Sequence, residues 1–449
     1  MSELNSPEQV LSCRLSKPGE IPYEDSFFGS KGLPQCIPLT TEQIGFVTSV
    51  FSIGGLIGSF YIGRVGDVFG RKKASMLYCL VYFIGSILNG LSVNFVTMVI
   101  GRFIAGLGAG SALVITPIFI NEIAPPDVMG FLGSMNQVSV NVGILYTQLL
   151  GLVWSNNNDW RWLLLMGGFI ALVDLVLLYF YTDESPRWLY SNGQSSRAFT
   201  TLHHLRGGDY SIARSEVNNW GSTGNNEEEG ESLLGNNQRQ ASVNLETYLR
   251  SPEFNNSKIV ATGILILQQF CGINSIIFYG VSVLVSIFPD LAIMINCMIS
   301  LVNVVVTYIA ANLVDKLGRK PLLLTSVSIM GVSTVLMAFG IIFSNSISII
   351  VGTFTYITFF AIGLGPIPFF IVSEVTQPAA KASAQSWGIA MNWTATFIVG
   401  FLFPILKNSW IGGGVYFIFT IMCVFTFGFI KAKIPETKGA TSYEQVWNI

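Results

Sequence analysis

The sequence predicts an all-α polytopic membrane protein built by internal duplication, and three observations predict it. Hydrophobic residues make up 51% of the 449 positions and charged residues only 11%, against about 25% charged in soluble domains. Apolar stretches poor in charge recur along the chain, each near the roughly 20 residues that a spanning helix needs. Finally, Asp67-Val68-Phe69-Gly70-Arg71-Lys72-Lys73 returns in altered form as Asp315-Lys316-Leu317-Gly318-Arg319-Lys320. Two further pairs repeat at a common, nearly identical separation: Glu122 with Glu374, and Glu184 with Glu436. Charged punctuation at matching joints is the mark of a repeat.

In chain order, residues 1–42 carry Pro, Gly, Lys and Glu too often for a span and read as an extracytoplasmic N-terminal segment. Spans are expected at 43–63, 74–93, 96–120, 131–154 and 162–182, forming an N-terminal helical bundle over 43–182. Arg102 and Asp174 fall inside two of them. Residues 183–257 read as a cytoplasmic loop that is partly disordered, since Asn225-Asn226-Glu227-Glu228-Glu229-Gly230-Glu231 offers nothing to bury. Six more spans, at 258–283, 290–314, 321–343, 348–373, 382–406 and 409–430, form a C-terminal helical bundle over 258–432, and 433–449 is a cytoplasmic tail. Basic residues concentrate in alternate loops and in the tail. The positive-inside rule therefore puts the C-terminus in the cytoplasm and, with eleven spans, the N-terminus outside. On that side Cys13 and Cys36 are placed to form a disulfide.

An odd count conflicts with a duplication. One span precedes the Asp67 motif and two precede Asp315, so the repeat predicts a helix missing at the start of the first half. That absence would leave a gap in the N-terminal bundle, with polar residues of 131–154 and 258–283 open to lipid.

Several function classes are excluded. A net charge of −2 supplies no basic field for nucleic acid. The two histidines, His203 and His204, are adjacent and lack metal-ligand spacing. No metal or cofactor is expected. Gly106-Leu107-Gly108-Ala109-Gly110 mimics a phosphate-binding loop, but it lies within an apolar span, where small residues serve close helix approach.

Polar residues inside the spans point elsewhere. Gln137, Asn141 and Gln148 lie on one face of 131–154 at 100° per residue, and Asn296 and Asn303 share a face of 290–314. Gln268, Gln269 and Asn274 lie on 258–283, beside Gly272, while Asn392 and Trp393 lie on 382–406. Intramembrane amides are either glue between helices or ligands for a neutral polar solute. A sugar fits the second reading, because each hydroxyl loses water on entry and its CH face suits an aromatic ring.

The motifs Gly-Arg-x-Gly-Asp-x-Phe-Gly-Arg-Lys at 63–72, Glu-Ser-Pro-Arg-Trp-Leu at 184–189, Gln-Gln-Phe-Cys-Gly-Ile-Asn at 268–274, Gly-Pro-Ile-Pro-Phe at 365–369 and Pro-Glu-Thr-Lys-Gly at 435–439 carry a resemblance. The chain resembles the sugar porter branch of the major facilitator superfamily, most closely its fungal glucose-transporter-like members. The resemblance implies a major facilitator fold of two six-helix bundles, here with eleven helices, and a carrier that is no enzyme. It implies a sugar or polyol as the small-molecule partner and a lipid bilayer as the setting, in the plasma or the vacuolar membrane. Gln137, Gln268, Gln269, Asn274, Asn303 and Trp393 match the family's sugar-contacting positions, with Asn392 and Phe360 beside them. Ala361, Phe369 and Thr396 depart from the pattern of glucose facilitators. The same resemblance implies a cytoplasmic gate of Asp67, Arg71, Glu122, Glu184, Arg187, Asp315, Arg319, Glu374 and Glu436, holding the inner ends of the halves together. Proton coupling is left open, because family members that couple to protons pair an acid on the first helix with the position of Arg102. The competing reading is a transport-inactive relative that acts in sensing or membrane trafficking.

Overall fold

The computed structural model describes all residues except 1, 17–18, 20, 126–128, 219–242, 244, 286–287, 378–379, 439–442 and 448–449. Among the described residues there is no strand, and eight helices are long and apolar enough to cross a membrane. In the first half the long helices are α1 (Thr41–Phe69), α2 (Arg71–Gly90), α3 (Phe95–Ile123), α4 (Met129–Trp154) and α5 (Trp160–Tyr181). The second half has α6 (Asn255–Phe270), α7 (Ala292–Leu317), α8 (Arg319–Ile342), α9 (Ser346–Phe359), α10 (Ile367–Glu374), α11 (Lys381–Lys407) and α12 (Val415–Lys433). Capping boxes start two of them. Thr40 and Gln43 exchange side-chain and backbone hydrogen bonds before α1, and Asn94 and Thr97 do the same before α3.

Each half packs mainly on itself, and the halves meet where α1 lies against α11 and α4 against α7. Within the first half, the glycine run of α3 allows contact with α1 at backbone distance, since a Cβ on Gly106 or Gly110 would overlap the carbonyl of Phe51 or Gly55. That is the packing role expected of the run. The α4–α7 seam is joined by amides: Asn141 Nδ2 donates to Thr307 Oγ1 at 2.9 Å, and Ser300 Oγ donates to Gln148 Oε1 at 2.6 Å. Two members of the polar stripe on 131–154 are therefore glue.

The N-terminal segment departs from expectation. Residues 2–11 do not lie outside the bundle but form two short turns, Ser2–Leu4 and Glu8–Leu11, with Glu3, Leu4, Asn5, Val10 and Leu11 buried. Ser2–Leu4 packs on α4 and α5. A segment of this length falls below the span criterion, so hydropathy could not register it. The open polar flank is also corrected: Asn141, Gln148, Gln268, Gln269 and Asn274 are all buried. After Leu11 the chain runs over the outer ends of the first-half helices. A Cys13–Cys36 disulfide closes it, Arg161 donates to the carbonyls of Pro34, Gly90 and Ser92, and Trp160 Nε1 donates to Gln35 O.

In the loop between the halves, the described parts include short helices at Pro186–Ser191, Ser195–Leu205 and Leu245–Arg250. Arg206 fixes the loop to the end of α3 by bonding the Ile123 carbonyl while pairing with Glu216. The acidic run at 225–231 lies outside the described residues.

Candidate functional site

Helix breaks build the site. After α6 the chain turns at Gly272, whose φ is +100°, and resumes as Ile273–Ile277 and Gly280–Val285. Between α9 and α10 a π-helical turn, Phe360–Leu364, precedes Gly365-Pro366-Ile367-Pro368. Proline donates no backbone hydrogen bond, so the second break leaves backbone groups for side chains to satisfy.

Between the halves lies a cavity of about 2040 Å³ lined by all eight residues expected at a sugar site: Gln137, Gln268, Gln269, Asn274, Asn303, Phe360, Asn392 and Trp393. Phe369 and Thr396 also line it. Its volume exceeds the 300–1,000 Å³ usual for a small-molecule site, because it opens at one end into a vestibule edged by Arg64, Asp67, Arg71 and Lys381. The positive-inside rule assigns that end to the cytoplasm.

The amides are ordered by one another. Asn274 Nδ2 donates to Gln269 Oε1 at 2.8 Å, and Gln269 Nε2 donates to Gln268 Oε1 at 3.2 Å. Asn392 Nδ2 also donates to Gln268 Oε1, at 2.8 Å. Trp393 reaches across to the first half, its Nε1 donating to Ser59 Oγ at 3.2 Å and its ring lying against Gly55. Missed in the sequence was Gln385, which lines the vestibule with a buried Oε1 that has no hydrogen-bond partner among the described residues.

The far end is closed. Asn5 Nδ2 donates to Ile277 O and Asn5 Oδ1 accepts from Val281 N, both at 3.0 Å, so the N-terminal turn fills the gap in the broken helix of the other half. Tyr279 donates to Gly400 O at 2.7 Å and packs on Phe403.

The expected gate charges assemble as two copies of one cluster. Gly70 and Gly318 share φ, ψ of 98°, 164° and 93°, 160°. Glu184 accepts from the backbone N–H of Arg71 and Lys72, and Glu436 from those of Arg319 and Lys320. Each carboxylate thereby caps the N-terminus of the helix that follows. The Arg71 guanidinium pairs with Glu122 at 2.8 Å and Asp67 at 2.9 Å, and that of Arg319 pairs with Glu374 at 3.0 Å. These pairs differ from the expected arrangement, because each joins residues of one half and none of them ties the halves together. The short reach of these side chains from helix ends explains it, now that the vestibule separates the two clusters. Arg187 is exposed on its short helix, and the side chain of Asp315 lies outside the described residues.

Also missed was Glu3. Arg102, with no exposed surface, lies 3.4 Å from Glu3 Oε2, while Tyr82 donates to Glu3 Oε1 at 3.0 Å. Arg102 also lies over the Phe51 ring, and its Nε and Nη2 have no partner among the described residues. Asp174 accepts from the Cys79 thiol at 3.2 Å.

Comparison with known proteins agrees with this geometry. Residues 4–448 match the family model for sugar (and other) transporters. A probable metabolite transport protein of Saccharomyces cerevisiae is 45% identical over 449 residues, covering 100% of this chain and 91% of the relative. The vacuolar protein sorting-associated protein 73 of the same yeast is 40% identical, covering 98% and 90%. The chicken facilitated glucose transporter member 1 of solute carrier family 2 is 31% identical, covering 98% and 87%. Among solved structures, the inward-open xylose transporter of E. coli matches with a TM-score of 0.76 over 100% of this chain and 95% of that one, at 24% identity.

Proposed function

The chain belongs to the sugar (and other) transporter family, and from that premise we propose that it carries a hexose or related polyol across a membrane by alternating access. The family model and the glucose-transporter relatives are of transporters, which are not enzymes, and they support reading this multi-pass membrane protein as a carrier. The observation that carries the substrate reading is the convergence of Gln137, Gln269, Asn274, Asn303 and Asn392, with Trp393 and Phe360, on one cavity. Neutral donors and acceptors beside aromatic faces match what a sugar loses and presents on leaving water. A cavity open at one end and closed at the other by Asn5 and Tyr279 supports rocking of two bundles. In that architecture two bundles of six helical positions are filled by the eleven expected spans, with residues 2–11 taking part of the remaining place beside α4 and α5. The plasma and the vacuolar membrane are the two settings of this reading.

Glu3 favours proton coupling over simple facilitation, because its buried carboxylate lines the cavity and faces Arg102. Purified protein in proteoliposomes with radiolabelled D-glucose tests both points. Saturable counterflow is expected, weakened by Gln269→Ala at least about tenfold in apparent affinity, the loss of one or two hydrogen bonds to a desolvated hydroxyl. Glu3→Gln is expected to abolish proton-driven accumulation and leave counterflow. Sugar binding unaffected by Gln269→Ala would overturn the site. A transport-inactive role in trafficking draws on the 40% identity to the sorting-associated yeast protein, and absence of any counterflow would favour it.

A further inference from the structure

Charge reappears where the halves meet at the far end. Glu8 lies three residues after Asn5 in the N-terminal segment and is only 8% exposed. Lys407 ends α11, and its ammonium donates to Ser282 O at 2.9 Å and to Ser282 Oγ at 3.4 Å. Ser282 follows Val281, whose backbone N–H is held by Asn5. Beside them Thr41 Oγ1 accepts from Arg14 Nη2 at 3.0 Å and from Asn408 Nδ2 at 3.4 Å, so the N-terminal segment and the end of α11 share one hydroxyl. Between these bonds Glu8 and Lys407 attract each other across the boundary of the two halves.

A carboxylate taken out of water stays ionised only where nearby positive charge outweighs its lost hydration. Three charged or titratable side chains face Glu8: Lys407 from α11, Arg14 from its own segment, and Tyr279 from between the two short helices that follow α6. The support of Arg14 is divided, since it also faces Glu42 of α1. The Lys407 ammonium directs two of its donors to Ser282, and the Tyr279 hydroxyl is engaged by Gly400 O. Burial prevails and pushes the Glu8 carboxyl from its ordinary 4.5 up to about 7, with Lys407 and then Arg14 opposing. In the closed arrangement Glu8 therefore binds its proton more tightly than a hydrated carboxyl would once the far end has opened. Acid favours closure, and closure weakens as pH rises through about 7.

We propose that Glu8 is the proton-binding residue of a pH-dependent closure at the far end, tuned by Lys407 across the boundary between the halves. Protonation removes the hydration cost of a buried charge, while the hydrogen bonds of Asn5 and Asn408 across the boundary stay in place. Opening exposes Glu8 to water and releases the proton. The closure regulates access from the far end and is separate from Glu3, whose carboxylate lines the cavity. The inference rests on the reading of the chain as a two-bundle carrier and not on the identity of its solute.

Spin labels at Lys31→Cys, on the outer segment of the first half, and at Trp410→Cys, in the loop after α11, read the separation of the halves at the far end in the purified protein. Both positions are exposed and the four free cysteines are buried. From about pH 8 to about pH 6 the ratio of closed to open far ends is expected to rise about tenfold, as for one proton bound near pH 7 in the closed form and in the ordinary carboxylate range in the open one. Glu8→Gln is expected to give a flat profile with the far end closed. Lys407→Gln keeps the carboxyl but removes its countercharge, so the midpoint is expected to move to higher pH. Glu3→Gln is expected to retain the parent profile. A flat parent profile while D-glucose still changes the separation overturns the closure, as does a slope that persists in Glu8→Gln or vanishes in Glu3→Gln. A midpoint that Lys407→Gln leaves in place or lowers overturns it too, and so does Glu8→Gln held open at every pH. One fixed separation in the parent at every pH, with and without saturating D-glucose, would remove the rocking of the bundles and with it the carrier reading itself.

Discussion

Replacing Gly70 by alanine should unsettle the vestibule-side corner of the first half more than Gly318→Ala unsettles the second, and the duplication makes each the control for the other. Both glycines have φ near +95° with extended ψ, a region that residues with a Cβ occupy only with about 1–3 kcal/mol of strain. That part of the effect is common to the two. The difference lies in the carboxylate. A Cβ on Gly70 would overlap Glu184 Oε2 and lie 2.7 Å from its Cδ, whereas a Cβ on Gly318 would lie 2.9 Å from Glu436 Oε2. Neither carboxylate yields freely, since Glu184 accepts from Arg71 N, Ser185 N and Lys72 N and Glu436 from Arg319 N, Lys320 N, Thr437 N and Lys438 N, so the deeper overlap at Gly70 forces the larger displacement. Displacing Glu184 loses at least one hydrogen bond to a charged acceptor, about 1.5 kcal/mol where water can partly substitute. Gly70→Ala is therefore expected to destabilise by about 3–4 kcal/mol and Gly318→Ala by about 2 kcal/mol. Thermal unfolding of the two variants in one detergent, followed by exposure of the buried cysteines to a thiol-reactive dye, ranks them directly. Equal shifts, or a larger shift for Gly318→Ala, would refute the argument that the carboxylate cap sets the difference.

Two further outcomes complete the set. Cys13→Ser with Cys36→Ser should loosen the outer segment by roughly 3 kcal/mol on chain-entropy grounds for a cross-link spanning 23 positions, and in the parent protein alkylation should modify neither thiol until reductant is added. Trp393→Phe keeps an aromatic face in the cavity but removes the donor to Ser59, so it should weaken the contact between the halves by about 1 kcal/mol, visible as a change in the rate of D-glucose exchange with little change in binding.

Positions set by strong local physics were legible from the residues. The Gly-Arg-Lys joints and their acidic partners show in the sequence because a carboxylate beside a helix N-terminus after a positive-φ glycine leaves fixed residue types at fixed places. The cavity amides are legible because an amide in an apolar span must have a reason. What each amide does is not legible: Gln137, Asn141 and Gln148 share a helical face, yet Gln137 and Asn141 line the cavity, Asn141 while bound to Thr307, and Gln148 is bound to Ser300 away from it. A side chain's direction within one face depends on the partner helix, and helical periodicity says nothing of partners. Glu3 and Asn5 were hidden for another reason. Hydropathy weighs windows of about 20 residues, and a ten-residue insert that is held by three or four polar contacts carries no signal at that scale.

The arrangement of charge says how the two ends of the carrier divide the work. Arg71 with Glu122, Asp67 and Glu184, and Arg319 with Glu374 and Glu436, each close within one bundle. Such clusters can persist while the bundles rock, since no pair among them spans the vestibule. They stiffen the vestibule-side corners of the two bundles. Among the described residues, hydrogen bonds that cross between the halves join neutral groups, Asn5 to the backbone at Ile277 and Val281, Trp393 to Ser59, Asn141 to Thr307 and Gln148 to Ser300, and Glu8 and Lys407 interact by charge near the far end. Breaking a neutral hydrogen bond that water or a sugar hydroxyl can replace has a net effect of about 1 kcal/mol, whereas separating a buried ion pair costs about 3–5 kcal/mol. A carrier that must open and close on each cycle gains from keeping ions where nothing moves and amides where the halves part. Glu3 with Arg102 also closes within the first half although Glu3 lines the cavity, so rocking of the bundles need not separate this pair either.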